Sequence, residues 1–360
     1  MIKGDKMAGK VTASMVKELR EKTGVGMMDA KKALVEKDGN MDAAMAFLKE
    51  KGLAASAKKA GRIAAEGLVA VVANENNTKA AIAEVNCETD FVGKNEKFKA
   101  FVSQVANFVN DNNVKDVETL MTMKDGDLTF EELQSSLVAT IGEKISTRRF
   151  ETLNADYVHT YLHSNGRVAA LVAFKADDAS LANDKFKTLA KNVCMHIAAM
   201  KPSKLTYKEL DPKFVEEETK GAIERVKKDN EERARLGKHL LNIPRFISKL
   251  QLTDEILTEV KEEIKKELLA AGKPEKILDK IIPGKMERFI ADNTSLDQEH
   301  CLLDQFYALD DKKTVGAILD EKKKELGSDF ELISFVRYEV GDGLEKREEN
   351  FAEEVAAQMK

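Results

Sequence analysis

A strand–turn–strand–helix pattern occurs twice in this chain, 88 positions apart, and no other feature restricts the fold as much. In the first copy Gly67–Ala73 and Thr78–Asn86 read as strands around the turn Asn74–Asn77, with a helix over Glu96–Asn110. In the second, Tyr157–Leu162 and Arg167–Phe174 flank His163–Gly166, with a helix over Asp184–Met200. Asn77 falls on Asn165, Phe98 on Phe186, Val105 on Val193 and Val109 on Ile197. A hairpin has an apolar face that something else must cover, and an amphipathic helix supplies the cover. The repetition therefore predicts a core of two related α+β halves with antiparallel sheets, spanning 63–150 and 151–204.

The correspondence fails at one place. Ala81, Ala83 and Val85 alternate with Ile82, Glu84 and Asn86 in an extended run. The pattern then breaks: Thr89-Asp90 is a capping and turn pair, Gly93 permits a positive φ, and Asn95 starts the next helix. Phe91 sits on this strand-to-helix turn. Its counterpart in the second half is Ala179, although Asp90 falls on Asp178. A large apolar residue at such a place ordinarily closes the core. The other reading is a wedge held on a rigid turn, whose burial in a partner is worth about 2 kcal/mol. Its presence in one half alone argues mildly against a generic fold residue.

Residues 11–62 read as three short helices. Thr12 caps the first and Gly24 ends it; Gly26 opens the second; Asn40 caps the third. Val16, Leu19, Ala30, Leu34, Ala44 and Leu48 form the apolar faces. Met27 and Met28 are either core filler or an adaptable contact patch, because Met repacks easily. Between the halves, Asp116–Gly126 and Thr129–Leu153 read as helical, with Glu132, Glu143, Arg148 and Arg149 on polar faces. Gly142 costs a helix about 1 kcal/mol and signals a tight approach or an end.

From 205 to 300 Lys and Glu dominate and strand signals vanish. Ile256, Val260, Ile264 and Leu268 recur every four residues between Thr253 and Gly272. Pro274–Ile282 and Lys285–Ile290 follow as separate pieces. A narrow apolar seam in a charged surround predicts a protruding antiparallel helical arm of coiled-coil type, with an inert solvated spacer as the alternative. Residues 301–360 contribute a last strand, Glu331–Val340, and a C-terminal helix, Glu349–Met359.

Composition narrows the function classes. The chain carries 58 basic against 63 acidic residues, a net charge of −5, which is no footprint of a nucleic-acid binder. No apolar run approaches the roughly 20 residues of a membrane span. Cys87, Cys194 and Cys301 are too scattered for a zinc site or a disulfide framework. His196 is of a type that more often packs or caps than binds a ligand. His159 and His163 are four apart, but Tyr157–Leu162 reads as strand, so they do not converge as metal ligands on a helix do. No phosphate loop, GxSxG, HExxH or paired-carboxylate arrangement is present, so neither an enzyme nor a cofactor is indicated. The opening residues lack a signal-peptide core, and Met7 is an alternative start.

Thr89-Asp90-Phe91-Val92, in this setting, resembles the signature of the elongation factor Ts family, guanine-nucleotide exchange factors of translational elongation factor Tu. Met15–Leu34, Val193–Pro202 and Phe335–Lys346 resemble further blocks of the family, in family order. The resemblance implies that 11–62 is a module similar to a ubiquitin-associated (UBA) domain. That module grips the nucleotide-binding domain of elongation factor Tu, with Arg20, Met27 and Met28 at contact positions, and Thr89, Asp90, Phe91 and Val92 are implied to bind the partner as well. His196 matches a position that meets another domain, and the C-terminal helix is a further contact. The arm is longer than the usual form between Glu218 and Gly272. The implied action is binding to GDP-bound elongation factor Tu, entry of Asp90 and Phe91 near the partner's magnesium ion, release of GDP, and departure on GTP binding. No covalent chemistry and no cofactor of its own are implied. A homodimer or a 2:2 complex is left open. A bacterial cytoplasm is expected, since no Arg- and Ser-rich stretch precedes residue 11. The rival from another class is a structural interaction protein, helical arm plus α+β core, that assembles with itself.

Overall fold

The computed structural model describes residues 11–345, and Cα packing separates two compact units within them. Residues 11–176, 187–198 and 334–345 form the first; 177–186 and 199–333 form the second.

The first unit opens with α1 (Ala13–Thr23), α2 (Met27–Glu36) and α3 (Met41–Lys59). The caps are those the sequence proposes. The Thr12 hydroxyl accepts from the Met15 N–H, the Asn40 side chain accepts from Ala43, and Gly24 ends α1 in the left-handed region. Leu19, Ala30, Leu34 and Ala44 have almost no exposed surface and make a small separate core.

Then follow β1 (Glu66–Ala73), β2 (Lys79–Cys87), α4 (Glu96–Asp111) and α5 (Val117–Thr122). A two-residue ladder, β3 (Lys124–Asp125) with β4 (Leu128–Thr129), leads into α6 (Phe130–Ile141), β5 (Ile145–Asn154), β6 (Tyr157–Leu162) and β7 (Val168–Ala176). One antiparallel sheet has the order β1-β2-β5. The expected repeat is present: each hairpin is followed by a helix, and Phe98, Phe186, Val105, Val193, Val109 and Ile197 are all fully buried.

Within β2, Ala80–Cys87 are buried throughout. Ala81, Ala83, Val85 and Cys87 pack with Phe98, Val102 and Val105 of α4. Ala80 and Ile82 pack on the opposite side with Val158, Leu171, Ala173 and Val336. A central strand between two apolar layers has no solvent face.

The helix expected over Thr129–Leu153 is corrected. It stops at Ile141, and Gly142 adopts φ 88° in the left-handed region with nothing within 4 Å of a hypothetical Cβ. Gly142 is there for its backbone, not for space. Residues 145–154 are instead the partner that β2 needs along its second edge, with Cys87 opposite Ile145 and Lys79 opposite Asn154. That pairing is non-local, so periodicity within the segment did not reveal it. A bulge falls at Arg148, and both Arg148 and Arg149 reach the buried Glu84, at 3.1 and 2.6 Å. The Gly341 N–H also donates to Glu84, at 2.9 Å, so the buried carboxylate is paired and hydrogen-bonded.

The second unit begins at α7 (Asp178–Leu181) and the start of α8 (Asp184–Met200), whose residues 187–198 belong to the first unit. It continues with α9 (Pro212–Arg235), α10 (Asp254–Ala270), α11 (Glu275–Asp292) and α12 (Ser295–His300). The strands β8 (Phe306–Tyr307) and β9 (Asp310–Thr314), then α13 (Val315–Leu326) and β10 (Phe330–Glu339), complete the chain order. From Ser334 on, β10 belongs to the first unit and gives its second sheet the order β10-β7-β6.

α10 folds back onto α11 through Ile264, Leu268, Leu278 and Ile282. α9 is rooted elsewhere, with Val215 packed among Leu210, Ile247 and Leu296. The break expected between Ile282 and Lys285 does not occur, and α11 runs through Pro283. Pro283 and Asp279, whose carbonyl the proline leaves without its helical donor, are both exposed, so water can replace the missing bond. The helix expected over Glu349–Met359 lies outside the described residues.

Candidate functional site

Where β2 ends, the chain makes a tight descent into α4. Cys87 is fully buried and its thiol donates to the Thr89 carbonyl at 3.2 Å. Burial pushes that thiol up to about 12, with the Glu143 and Glu66 carboxylates adding to the shift. It is therefore a structural thiol, not a reactive one. Val92 is 5% exposed and joins the cluster of Cys87, Phe98 and Val102. Asn95 then caps α4, its side chain accepting from the N–H groups of Lys97 and Phe98.

Between these anchors Phe91 stands in solvent, 75% exposed, with ordinary right-handed φ −63° and ψ −38°. The core reading of Phe91 is overturned. Its neighbour Val92 takes the core position, which turns the ring outward. Asp90 is exposed and pairs with Lys94 at 3.6 Å; the Lys94 ammonium lies 5.4 Å from the Phe91 ring centroid. Acid, ring and base thus form one exposed cluster.

Gly93 is not in the positive-φ region, contrary to expectation; Val92–Lys94 is a right-handed 3-10 turn. The glycine that this corner requires is Gly67, at φ 144°. A Cβ there would lie 2.2 Å from the Val85 carbonyl oxygen, so only glycine lets β1 close on the end of β2.

The loop is clasped from a distance. The Glu143 carboxylate accepts from both the N–H and the hydroxyl of Thr89, at 3.0 and 2.7 Å. The Lys144 N–H donates to Glu88, which also pairs with Arg62 at 3.1 Å. The sequence reading missed Glu143 by placing it on a helix face. The signal available was Gly142: an acid directly after a helix-ending glycine points wherever the chain exits.

The other candidates divide. Met27 and Met28 are 57% and 63% exposed, so they form a surface patch, not core filler. Arg20 is exposed on α1. The turn between α1 and α2 is tied to the unit carrying the loop: the Lys97 ammonium donates to the Gly24 carbonyl at 2.8 Å and the Ser136 hydroxyl to the Thr23 carbonyl at 2.8 Å. His196, on α8, is 2% exposed. His159 and His163 do not converge, each meeting its own tyrosine, Tyr157 at 3.3 Å and Tyr161 at 3.0 Å. Among the described residues, no cluster of His, Cys, Asp or Glu is placed to hold a metal ion, and no helix is long and apolar enough to cross a membrane.

Comparison with known proteins bears on this geometry. A family model described as Elongation factor TS matches residues 88–240 and 241–342. Elongation factor Ts of Campylobacter hominis is 49% identical over 351 residues, covering 97% of this chain and 99% of that protein. The Campylobacter curvus protein of the same name is 51% identical over 352 residues, and that of Helicobacter hepaticus 49% over 352, with the same coverage of both chains.

Proposed function

The chain belongs to the elongation factor Ts family of translation elongation factors, and from that premise we propose that it exchanges guanine nucleotide on elongation factor Tu. It binds the GDP-bound form, promotes GDP release by disturbing the Mg²⁺/phosphate site, and leaves on GTP binding. It performs no covalent chemistry and works in the cytoplasm without a cofactor of its own. The observation that carries this reading is the 75% exposure of Phe91 on a loop pinned at both ends.

An exchange factor has to bind the nucleotide-free partner better than the loaded one, and by linkage the two ligands then weaken each other equally. A ring presented ready for burial provides such a differential contact, because its insertion competes with the elements that hold Mg²⁺ and phosphate. Asp90 enters with Phe91, and Thr89 and Val92 hold the base of the loop. Arg20, Met27 and Met28 form a grip that makes insertion favourable. His196 on α8, beside Met195 at 38% exposed, belongs to a second grip.

The test is stopped-flow release of fluorescent GDP from elongation factor Tu with excess unlabelled GDP. Wild type accelerates release, and Phe91→Ala loses more than about tenfold of the acceleration, or 1.4 kcal/mol. Equal rates for the two proteins would exclude the wedge.

A second reading, self-association into a homodimer or a 2:2 complex, is favoured by one observation. Leu236, Leu240 and Ile243, after α9, are 60%, 61% and 48% exposed. Sedimentation of wild type against a variant with all three changed to Ser tests it; identical masses rule it out.

A further inference from the structure

We infer that Glu143 is a positioning residue for exchange: through Thr89 it fixes the loop that presents Phe91. The inference rests on the wedge reading of Phe91.

Thr89 is held at three points. Glu143 takes its N–H and its hydroxyl, and the Cys87 thiol takes its carbonyl. Two residues further on than Asp90, Val92 is buried. Asp90 and Phe91 therefore bridge two pinned residues with no slack between them. Removing Glu143 deletes two of the three holds on Thr89 and leaves the core contacts of Val92 untouched. The ring then samples many directions, and the cost of ordering it moves to the moment of insertion.

The position of Glu143 is itself rigid. Gly142 closes α6 in the left-handed region, so Glu143 leaves the helix axis at once. The next N–H, that of Lys144, is fastened to Glu88, and the Lys144 ammonium donates to the Arg62 carbonyl at 2.8 Å. The 142–144 turn and the 88–89 turn thus grip each other, although they lie more than fifty residues apart in sequence. None of these residues needs to touch a partner for the clasp to act.

The experiment is the same stopped-flow assay, titrated so that the maximal GDP-release rate and the half-saturating concentration are read separately. Glu143→Ala is expected to lower the maximal rate about tenfold and to move the half-saturating concentration less than about threefold, since the grips are unchanged. Glu143→Gln keeps one acceptor for the Thr89 hydroxyl but sets its amide against the Thr89 N–H, so it recovers an intermediate rate. Thr89→Val keeps the fold and removes only the hydroxyl. It should fall less than Glu143→Ala, and the double variant no further than Glu143→Ala, as expected of one coupled pair. Should Glu143→Ala lose cooperative unfolding, Thr89→Val alone decides. A maximal rate within twofold of wild type in the deciding variant, while Phe91→Ala collapses, overturns the inference. An unaffected Phe91→Ala overturns the wedge reading instead.

Discussion

The two hairpin–helix junctions are the most informative pair of regions in this molecule. After β2 the chain is held by a carboxylate from the remote 142–144 turn, buries Val92 and leaves Phe91 in solvent. After β7 it makes α7, a single helical turn capped by Asp177, which accepts from the Ser180 N–H at 2.7 Å; Ala179, the counterpart of Phe91, is exposed there. Both junctions are fastened from outside their own segment: the first by the Glu143 carboxylate, the second by Asp329, whose N–H donates to the Asp177 carboxylate at 2.9 Å and whose carbonyl accepts from the Asp177 N–H at 3.0 Å. Only the first presents a large exposed ring, Phe91, where the second has Ala179. A remote hold is therefore common to the two turns, and what sets the first apart is the side chain that it carries between its two anchors.

The largest effect should show the halves as equals. Phe98→Ala and Phe186→Ala each remove a fully buried ring, and each should cost about 3–5 kcal/mol in denaturant unfolding. A cost below about 1 kcal/mol for either would break the structural equivalence. Next comes the asymmetry. Phe91→Ala should lose the exchange activity described above and change stability by less than about 0.5 kcal/mol, whereas Ala179→Phe should leave GDP release unchanged. Exchange altered by Ala179→Phe would show that the second junction also meets the partner.

The caps sharpen the contrast further. Asn95→Ala should destabilise by about 1 kcal/mol at every pH, because Asn does not titrate. The Asp177 carboxyl is held below its usual range by hydrogen bonds from Ser180 and the Asp329 N–H. A depressed carboxylate contributes stability above its unfolded value of about 3.9 and loses it as pH falls through the lower folded value. Amide exchange at Ser180 and Leu181 should therefore accelerate in that acid window, and the same measurement on Asp177→Asn should be flat there.

The smallest effect belongs to His159, where the first half has Val71. Burial, and then the nearby Lys191 charge, hold its imidazole below the ordinary value. The unfolded histidine binds a proton first, so stability is complete above about pH 6.5 and declines as pH drops below it. His159→Gln should remove that part of the decline, and proton NMR should place the titration midpoint below 6.5. A midpoint above it would mean that a carboxylate, not burial, governs the ring.

Local chemistry in the sequence was sufficient for much of this protein. The 88-residue repeat, the caps at Thr12, Asn40, Asn95 and Thr253, and the apolar stripes of α4 and α8 follow from side chains acting within a few residues. So did the location of the candidate loop, because a strand that breaks at Thr89-Asp90 and restarts as a helix at Asn95 must turn in between. What only the tertiary structure decided depends on pairing across long separations. β5 became a strand because the second edge of β2 required one. Phe91 faces water because Val92, not Phe91, fits between Cys87 and Phe98. The His196 ring turned to the buried side of α8, and Glu143 became part of the loop because Gly142 ends a helix beside Thr89. In each case the deciding contact lies dozens of residues away, beyond the reach of any local pattern.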